Sequence, residues 1–386
     1  MRSVLVPFAL NLSFALLAAQ AAAAQKFAIT DLGTLPGGMD SVGYGINESG
    51  QVTGYSGTPE GPVRAFLYSE GKMSDLGTLP GGNRSVGYAI TGGGKRGRKE
   101  WGREDERRER GGERIQVTGQ SNTAEGANHA FLYSNGTMSD LGTLPNLPSQ
   151  DSYSAGLAIN ESGQVTGVSG IFQGHGHAFL YSHGKMSDLG TLPGGSDSAG
   201  SGINESGEVT GIADSAGLCC HAFLYSHGKM SDLGTLPGGS TSSGIGINEF
   251  GEVTGSSDAA QVTGGDTHAF LYSNGRMLDL GTLPGQSSSI GQGINRSGQV
   301  VGFTSSGQFS NFRAFLYNDG VMKDLNDLIE TNSGWSLWFA YSINDRGQIT
   351  GYGTNNGAIH AFLLTPVCSD VHGWTDREHG RDDSCD

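Results

Sequence analysis

Residues 26–32 read KFAITDL, and residues 359–364 read IHAFLL. Each is half of a phrase that the chain elsewhere writes whole. Residues 268–285 give it as HAFLYSNGRMLDLGTLPG, with near copies at 128–145, 177–195 and 221–239. In a whole copy an Ala-Phe segment runs through a Gly turn into an Asp-Leu segment. Residues 26–32 are an Asp-Leu segment with no Ala-Phe before it. Residues 359–364 are an Ala-Phe segment with no Asp-Leu after it. This split phrase decides the fold.

The repeat surrounds it. Asp-Leu begins at Asp31, Asp75, Asp140, Asp188, Asp232, Asp279 and Asp324, and Ala-Phe at Ala65, Ala130, Ala178, Ala222, Ala269, Ala314 and Ala361. Neighbouring Asp positions lie 44 to 48 residues apart, with one interval of 65. The first full period holds four alternating segments. Residues 42–47 (VGYGIN) meet Glu-Ser-Gly, where Gly50 is free to take positive φ. Residues 51–56 (QVTGYS) return. A variable loop, 57–63, leads to 64–69 (RAFLYS), and Glu70-Gly71 turns that into 72–77 (KMSDLG). In other copies the last turn is Asn-Gly, a strong hairpin signal. Each period is therefore two hairpins, whose four strands we label A, B, C and D.

Four strands in 44–48 residues is the size of a propeller blade. An open solenoid has no reason to divide one repeat between its two ends. A ring does, because the divided blade locks the circle and leaves no bare blade edge. The sequence predicts an all-β fold: a seven-bladed β-propeller with four antiparallel strands per blade, closed by residues 26–32 pairing with 359–364.

The words HAFLYSxGxMxDLGTLPGG and AxGINxxGQVxG resemble the HAF-repeat family of probable extracellular bacterial proteins. The resemblance runs from Phe27 to about Val367. It implies an exported repeat protein and carries no biochemical activity with it. Many relatives end in a Pro-Glu-Pro sorting signal with a membrane helix. Residues 368–386 lack both, so a released product is expected.

Composition agrees with export and with turns. Met1-Arg2, an apolar run over 4–18 and Ala22-Ala23-Ala24 form the n-region, h-region and cleavage site of a signal peptide, residues 1–24. The run is short for a membrane span, and no other segment could cross a bilayer. The 66 glycines stand at fixed places and not in a Gly-X-Y period. A net charge of −15 disfavours nucleic acid and anionic membranes. Cys219, Cys220, Cys368 and Cys385 have no zinc-site spacing. The domain plan is a signal peptide, a propeller over 25–367, and a non-repeat tail over 368–386.

Two stretches depart from the pattern. Residues 92–115 of blade 2 replace the A–B turn with a charged low-complexity segment. It reads as a loop outside the fold, with a basic arm for acidic partners as the alternative. Loop closure makes such an insertion inexpensive. Residues 326–339 (NDLIETNSGWSLWF) replace TLPGG before blade 7 and are expected to hold a helical turn at 327–331. Trp335 and Trp338 fall there. They either seal the closing blade or stack on sugar rings.

The candidate chemistry is mostly structural. His129, His177, His221, His268 and His360 start five C strands, and Arg64 and Arg313 hold the same place in the other two. Packed sheets sit about 10 Å apart and metal–nitrogen bonds need about 2 Å, so these side chains cannot share a metal. Arg, which has no acceptor, substitutes for a donor. These seven positions are read as repeated junction hydrogen bonds. His175 and His177 share an i, i+2 face, with no obvious third ligand. The recurrent Asp, Glu and Asn are read as strand and turn chemistry, since catalytic pairs need unlike neighbours. No GxSxG elbow and no phosphate-binding GxxxxGK is present.

Variation concentrates in the B–C loops, which share a face with the D–A loops. Variable loops on a rigid scaffold are where specificity resides. The sequence therefore points to a secreted, non-enzymatic, monomeric propeller. It would bind a glycan or an extracellular protein through that face, with Trp335, Trp338 and His175 as candidate contacts. No catalytic, cofactor or metal residues are assigned. A carbohydrate-active hydrolase or lyase, or a structural envelope protein, are the alternatives.

Overall fold

The computed structural model describes residues 26–92, 114–145, 147, 152–171, 174–216, 218–260, 266–306 and 310–367. Residues 1–25, which include the expected signal peptide, residues 93–113 of the insertion and the tail lie outside them. Among the described residues, 28 strands form seven four-stranded antiparallel sheets. Blade 1 is Ser41–Ile46, Val52–Ser56, Arg64–Ser69 and Lys72–Asp75, in that order from the centre outward. The chain folds as a seven-bladed β-propeller.

The divided phrase is rejoined. Blade 7 is Trp335–Ile343, Ile349–Asn355 and Ala358–Val367, completed on its outer edge by Lys26–Asp31. The register sets Phe27 opposite Pro366 and Asp31 opposite Phe362. Phe27 is 4% exposed and packs in the core of the closing blade.

Local chemistry explains the strand ends. Glu70 and Gly71 both take positive φ, 52° and 76°, the conformation a two-residue hairpin needs. The D strand stops at Asp75, earlier than the pattern of apolar residues predicts. There the Asp75 carboxylate accepts the Gly77 N–H at 2.7 Å and turns the chain inward. The segment before blade 7 does form a helical turn, but as a 3-10 turn at Leu325–Asp327, ahead of the expected 327–331. Asp324 sets its start by accepting the Asn326 N–H.

Each blade carries one fully buried phenylalanine, Phe66 in blade 1 and its six counterparts. Gly54 makes room for it: a Cβ there would lie 3.0 Å from the Phe66 ring and would strike the Val42 carbonyl. Burying each ring contributes about 1.5–3 kcal/mol.

Polar contacts join the blades. The Thr53 hydroxyl donates to the Phe66 carbonyl at 2.7 Å, and Gly87 of blade 2 sits directly against that hydroxyl. Five other interfaces repeat this fit of Thr against Gly. Between blades 6 and 7 both partners change together. Val301 replaces Thr and Ala340 replaces Gly, and both are fully buried in one apolar cluster.

At the A–B turns, the Asn47 Nδ2 donates to the Gly92 carbonyl of blade 2 at 2.7 Å. Asn160, Asn204, Asn248 and Asn295 donate to the next blade in the same way, and Asn344 returns to the Asn47 carbonyl at 2.9 Å. Blade 2 lacks the Asn. There the Gly92 N–H donates instead to Glu161 of blade 3. The ring of contacts thus runs past the insertion unbroken.

Candidate functional site

The repeated histidines and the repeated aspartates meet each other. Nδ1 of His129 lies 2.8 Å from Asp140, with the same distance for His177–Asp188 and His221–Asp232. His268 and Asp279 are 2.9 Å apart, as are His360 and Asp31. In blade 6 Arg313 reaches Asp324 at 3.5 Å. In blade 1 the Nε of Arg64 is buried without a partner. Each pairing ties strand C to strand D within one blade. The same Asp also accepts the N–H two residues on, as Asp31 does from Gly33 at 2.8 Å and Asp324 from Asn326 at 2.9 Å. These positions hold blades together and do not converge.

His175 and His177 turn to different carboxylates. His175 faces Asp197 of the next blade's D–A loop at 2.8 Å, its side chain 70% exposed. Trp335 packs edge-on against the core ring of Phe362, and Trp338, the extra residue of a bulge, lies edge-on to Tyr352. Cys220 is disulfide-bonded.

The seven A strands line a central channel of about 410 Å³, a size typical of small-ligand pockets. In blades 1 and 2, and in 4 through 6, strand A bulges at the residue before its last small residue. Blades 3 and 7 bulge at the equivalent positions. The residues there are Tyr44, Tyr88, Leu157, Ser201, Ile245, Gln292 and Tyr341, and all line the channel. A bulge re-aims its side chain out of the ladder. The wall is therefore polarised, with tyrosine on blades 7, 1 and 2 and other residues across from them.

The tyrosines belong to a larger aromatic array. Tyr44 lies 5.4 Å from Tyr88, 4.8 Å from Tyr341 and 6.0 Å from Tyr55 between ring centroids. Phe339 stacks on Tyr352 at 4.9 Å and 5°. Phe339 also meets Phe303 and Phe312 of blade 6 at 4.5 and 4.6 Å. All these rings are half-buried. Tyr55 stands one residue from the B–C end of its strand, so the array opens onto the face that carries the variable loops.

The phenols crowd together. Burial pushes those of Tyr44, Tyr88 and Tyr341 above the ordinary tyrosine value. Mutual repulsion among Tyr44, Tyr55, Tyr341 and Tyr352 adds to it. The hydroxyls therefore stay protonated, as neutral donors and acceptors. Asp40 and Arg84, on the D–A loops, bring one charge of each sign near Tyr55. Gln120 donates to the Tyr88 hydroxyl at 3.0 Å. Among the described residues, the Tyr44 hydroxyl and the Gln292 amide have no protein hydrogen-bond partner.

Sequence reasoning placed Trp338 near this array but missed its centre. The signal was one variable letter inside the repeated word AxGIN, the letter that the bulge turns into the channel.

No protein-family model matches the chain, and no curated protein is similar to it. Solved structures share the fold. A puromycin-hydrolysing peptidase of Mycobacterium tuberculosis is similar at 11% identity and a TM-score of 0.51 over 88% of this chain. This chain spans about half of that peptidase, 51%. The β-propeller domain of the Trilobed protease from Pyrococcus furiosus is similar at 8% identity (TM-score 0.48), covering 85% of this chain and 94% of that one. The BP39L lectin of Burkholderia pseudomallei is similar at 11% identity (TM-score 0.43), covering 89% and 98%. At these identities the likeness is one of fold alone.

Proposed function

We propose that this protein is an exported, non-enzymatic propeller that binds a neutral glycan at the aromatic side of its channel mouth. One observation carries the reading. Around the channel, seven near-identical blades lose their symmetry on one side, where half-exposed Tyr and Phe rings gather beside unpartnered hydroxyl and amide groups. Amphipathic rings of this kind present an apolar face and a polar tip together, which suits a sugar's apolar face and its hydroxyls. One Asp and one Arg stand near Tyr55, and the net charge of −15 opposes polyanions. Export rests on the signal-peptide pattern of residues 1–24 and on the resemblance to HAF-repeat proteins.

A glycan array probed with the chain from Gln25 to Asp386 tests this, alongside degradation assays on the same polysaccharides. Glycan binding without turnover is expected. Tyr44→Ala or Tyr341→Ala should abolish binding, and His175→Ala should leave it intact. Turnover lost on replacing Asp40 would establish an enzyme instead. Binding to no glycan would return the mouth to a protein partner or to a purely structural role.

A further inference from the structure

Blade 6 departs from the others at its outer hairpin. Its strand C carries Arg313 where five blades carry His, and the 3-10 turn Leu325–Asp327 replaces the Gly-Thr that follows Asp-Leu elsewhere. A second cavity, of about 440 Å³, lies at these two changes, again of small-ligand size. It is lined by Arg313, Met322 and Asp324 of the hairpin, by Leu283 and Pro284 of the linker from blade 5, and by Asp327 and Leu328. None of these residues lines the channel.

The ionic groups of this cavity are loosely engaged. In the five His blades Nδ1 meets its Asp at 2.8–2.9 Å. Arg313 reaches Asp324 only at 3.5 Å, the limit of a hydrogen bond, and its side chain is 43% exposed. Asp324 does not depend on it, because Asn326 donates to the same carboxylate from its N–H at 2.9 Å and from Nδ2 at 2.8 Å. Among the described residues, the Asp327 carboxylate has no hydrogen bond or ion pair. Only its carbonyl is engaged, by Lys26 Nζ at 2.7 Å. With Lys323, the lining carries two cations and two carboxylates, and the other four residues are apolar.

A guanidinium matches a carboxylate in a planar fork, and a free carboxylate matches an ammonium. We infer that this cavity binds a free apolar α-amino acid as its zwitterion. The ligand carboxylate lies on Arg313, its ammonium on Asp327, and its side chain against Leu283 and Met322. A zwitterion of no net charge meets a lining of no net charge. A simple anion would face Asp324 and Asp327, and a simple amine would face Arg313 and Lys323. The site stands apart from the aromatic array and does not depend on the glycan reading.

Calorimetry on the chain from Gln25 to Asp386 tests this. The probes are leucine, methionine, 4-methylpentanoate, which lacks leucine's ammonium, and isopentylamine, which lacks its carboxylate. Leucine and methionine should bind at one per protein. Each truncated analogue should bind at least about tenfold more weakly than leucine, as loss of a charged contact does. Arg313→His restores the residue of the other blades, and Asp327→Asn keeps the shape of its side chain. Each should weaken leucine by a similar factor with the unfolding temperature unchanged. Binding of neither amino acid, analogues that bind as tightly as leucine, or full binding by Arg313→His or by Asp327→Asn would overturn the inference.

Discussion

His360 Nδ1 lies 2.9 Å from the carboxylate of Asp31, a residue 329 positions away in the chain. His129 and Asp140 make the same contact across 11 positions inside one hairpin. The closing blade thus reproduces in space what every other blade builds locally. The ring is held shut by the same contacts that hold each blade.

Closure predicts that residues 26–31 act as the latch. Phe27→Ala removes a buried ring from the blade 7 core and should cost about 3–5 kcal/mol. The equivalent loss elsewhere, Phe131→Ala, should cost a similar amount. Only Phe27→Ala should speed exchange of the amides of strand Ala358–Val367 more than those of other C strands. Hydrogen exchange measured by mass spectrometry checks this.

Two of the paired carboxylates, Asp31 and Asp140, predict a pH profile. Burial alone would raise the Asp31 carboxyl. Hydrogen bonds from His360, Gly33 and Asn355 outweigh it and hold the group below its ordinary value. Asp140 is lowered through His129 and Gly142 against the same burial. A depressed folded pKa contributes stability above the unfolded value, near 3.9, that is lost as pH falls through the folded one. Urea midpoints should hold steady from about pH 7 to 5 as far as these two groups are concerned, then fall below about pH 4. Asp31→Asn should flatten part of that acid limb while lowering the midpoint at neutral pH.

Much of this architecture was legible in the sequence. Periodicity, the Asn-Gly turns and the divided blade led to the ring and to which segments close it. The His–Asp pairing was harder to see, because both residues repeat and either alone has a local explanation. Their constant spacing of 11 was the available signal, visible in four blades and hidden in a fifth by closure. The aromatic site was illegible for another reason. A bulge sends one strand residue into the channel, and a two-residue alternation cannot register a bulge.

The Val301–Ala340 interface predicts a rescue. Gly43→Ala places a Cβ 2.5 Å from the Thr350 hydroxyl of blade 7, and overpacking of this kind costs about 1–3 kcal/mol. Thr350→Val alone leaves the Phe362 carbonyl without its 2.9 Å donor. The double variant copies the apolar joint between blades 6 and 7 and should be more stable than the two single losses sum to. A double-mutant cycle from urea unfolding gives the coupling directly.

The insertion predicts tolerance to excision. Thr91 and Gln116 remain paired across it, and Gly92 supplies both contacts that the ring of turns requires. Replacing residues 91–115 by the Asn-Glu-Ser-Gly turn of blade 1 should leave the melting temperature unchanged or raise it slightly.

The central claim is that seven repeated blades carry one glycan site, made where tyrosine replaces other residues on blades 7, 1 and 2. Its most direct test is the number of cello-, xylo-, laminari- or maltohexaose molecules bound per protein at saturation, measured by native mass spectrometry on the wild-type chain and on Tyr44→Ala. The account predicts one molecule on the wild type and none on the variant. Seven molecules, or one that persists on Tyr44→Ala, would place recognition in the repeated blades and contradict it.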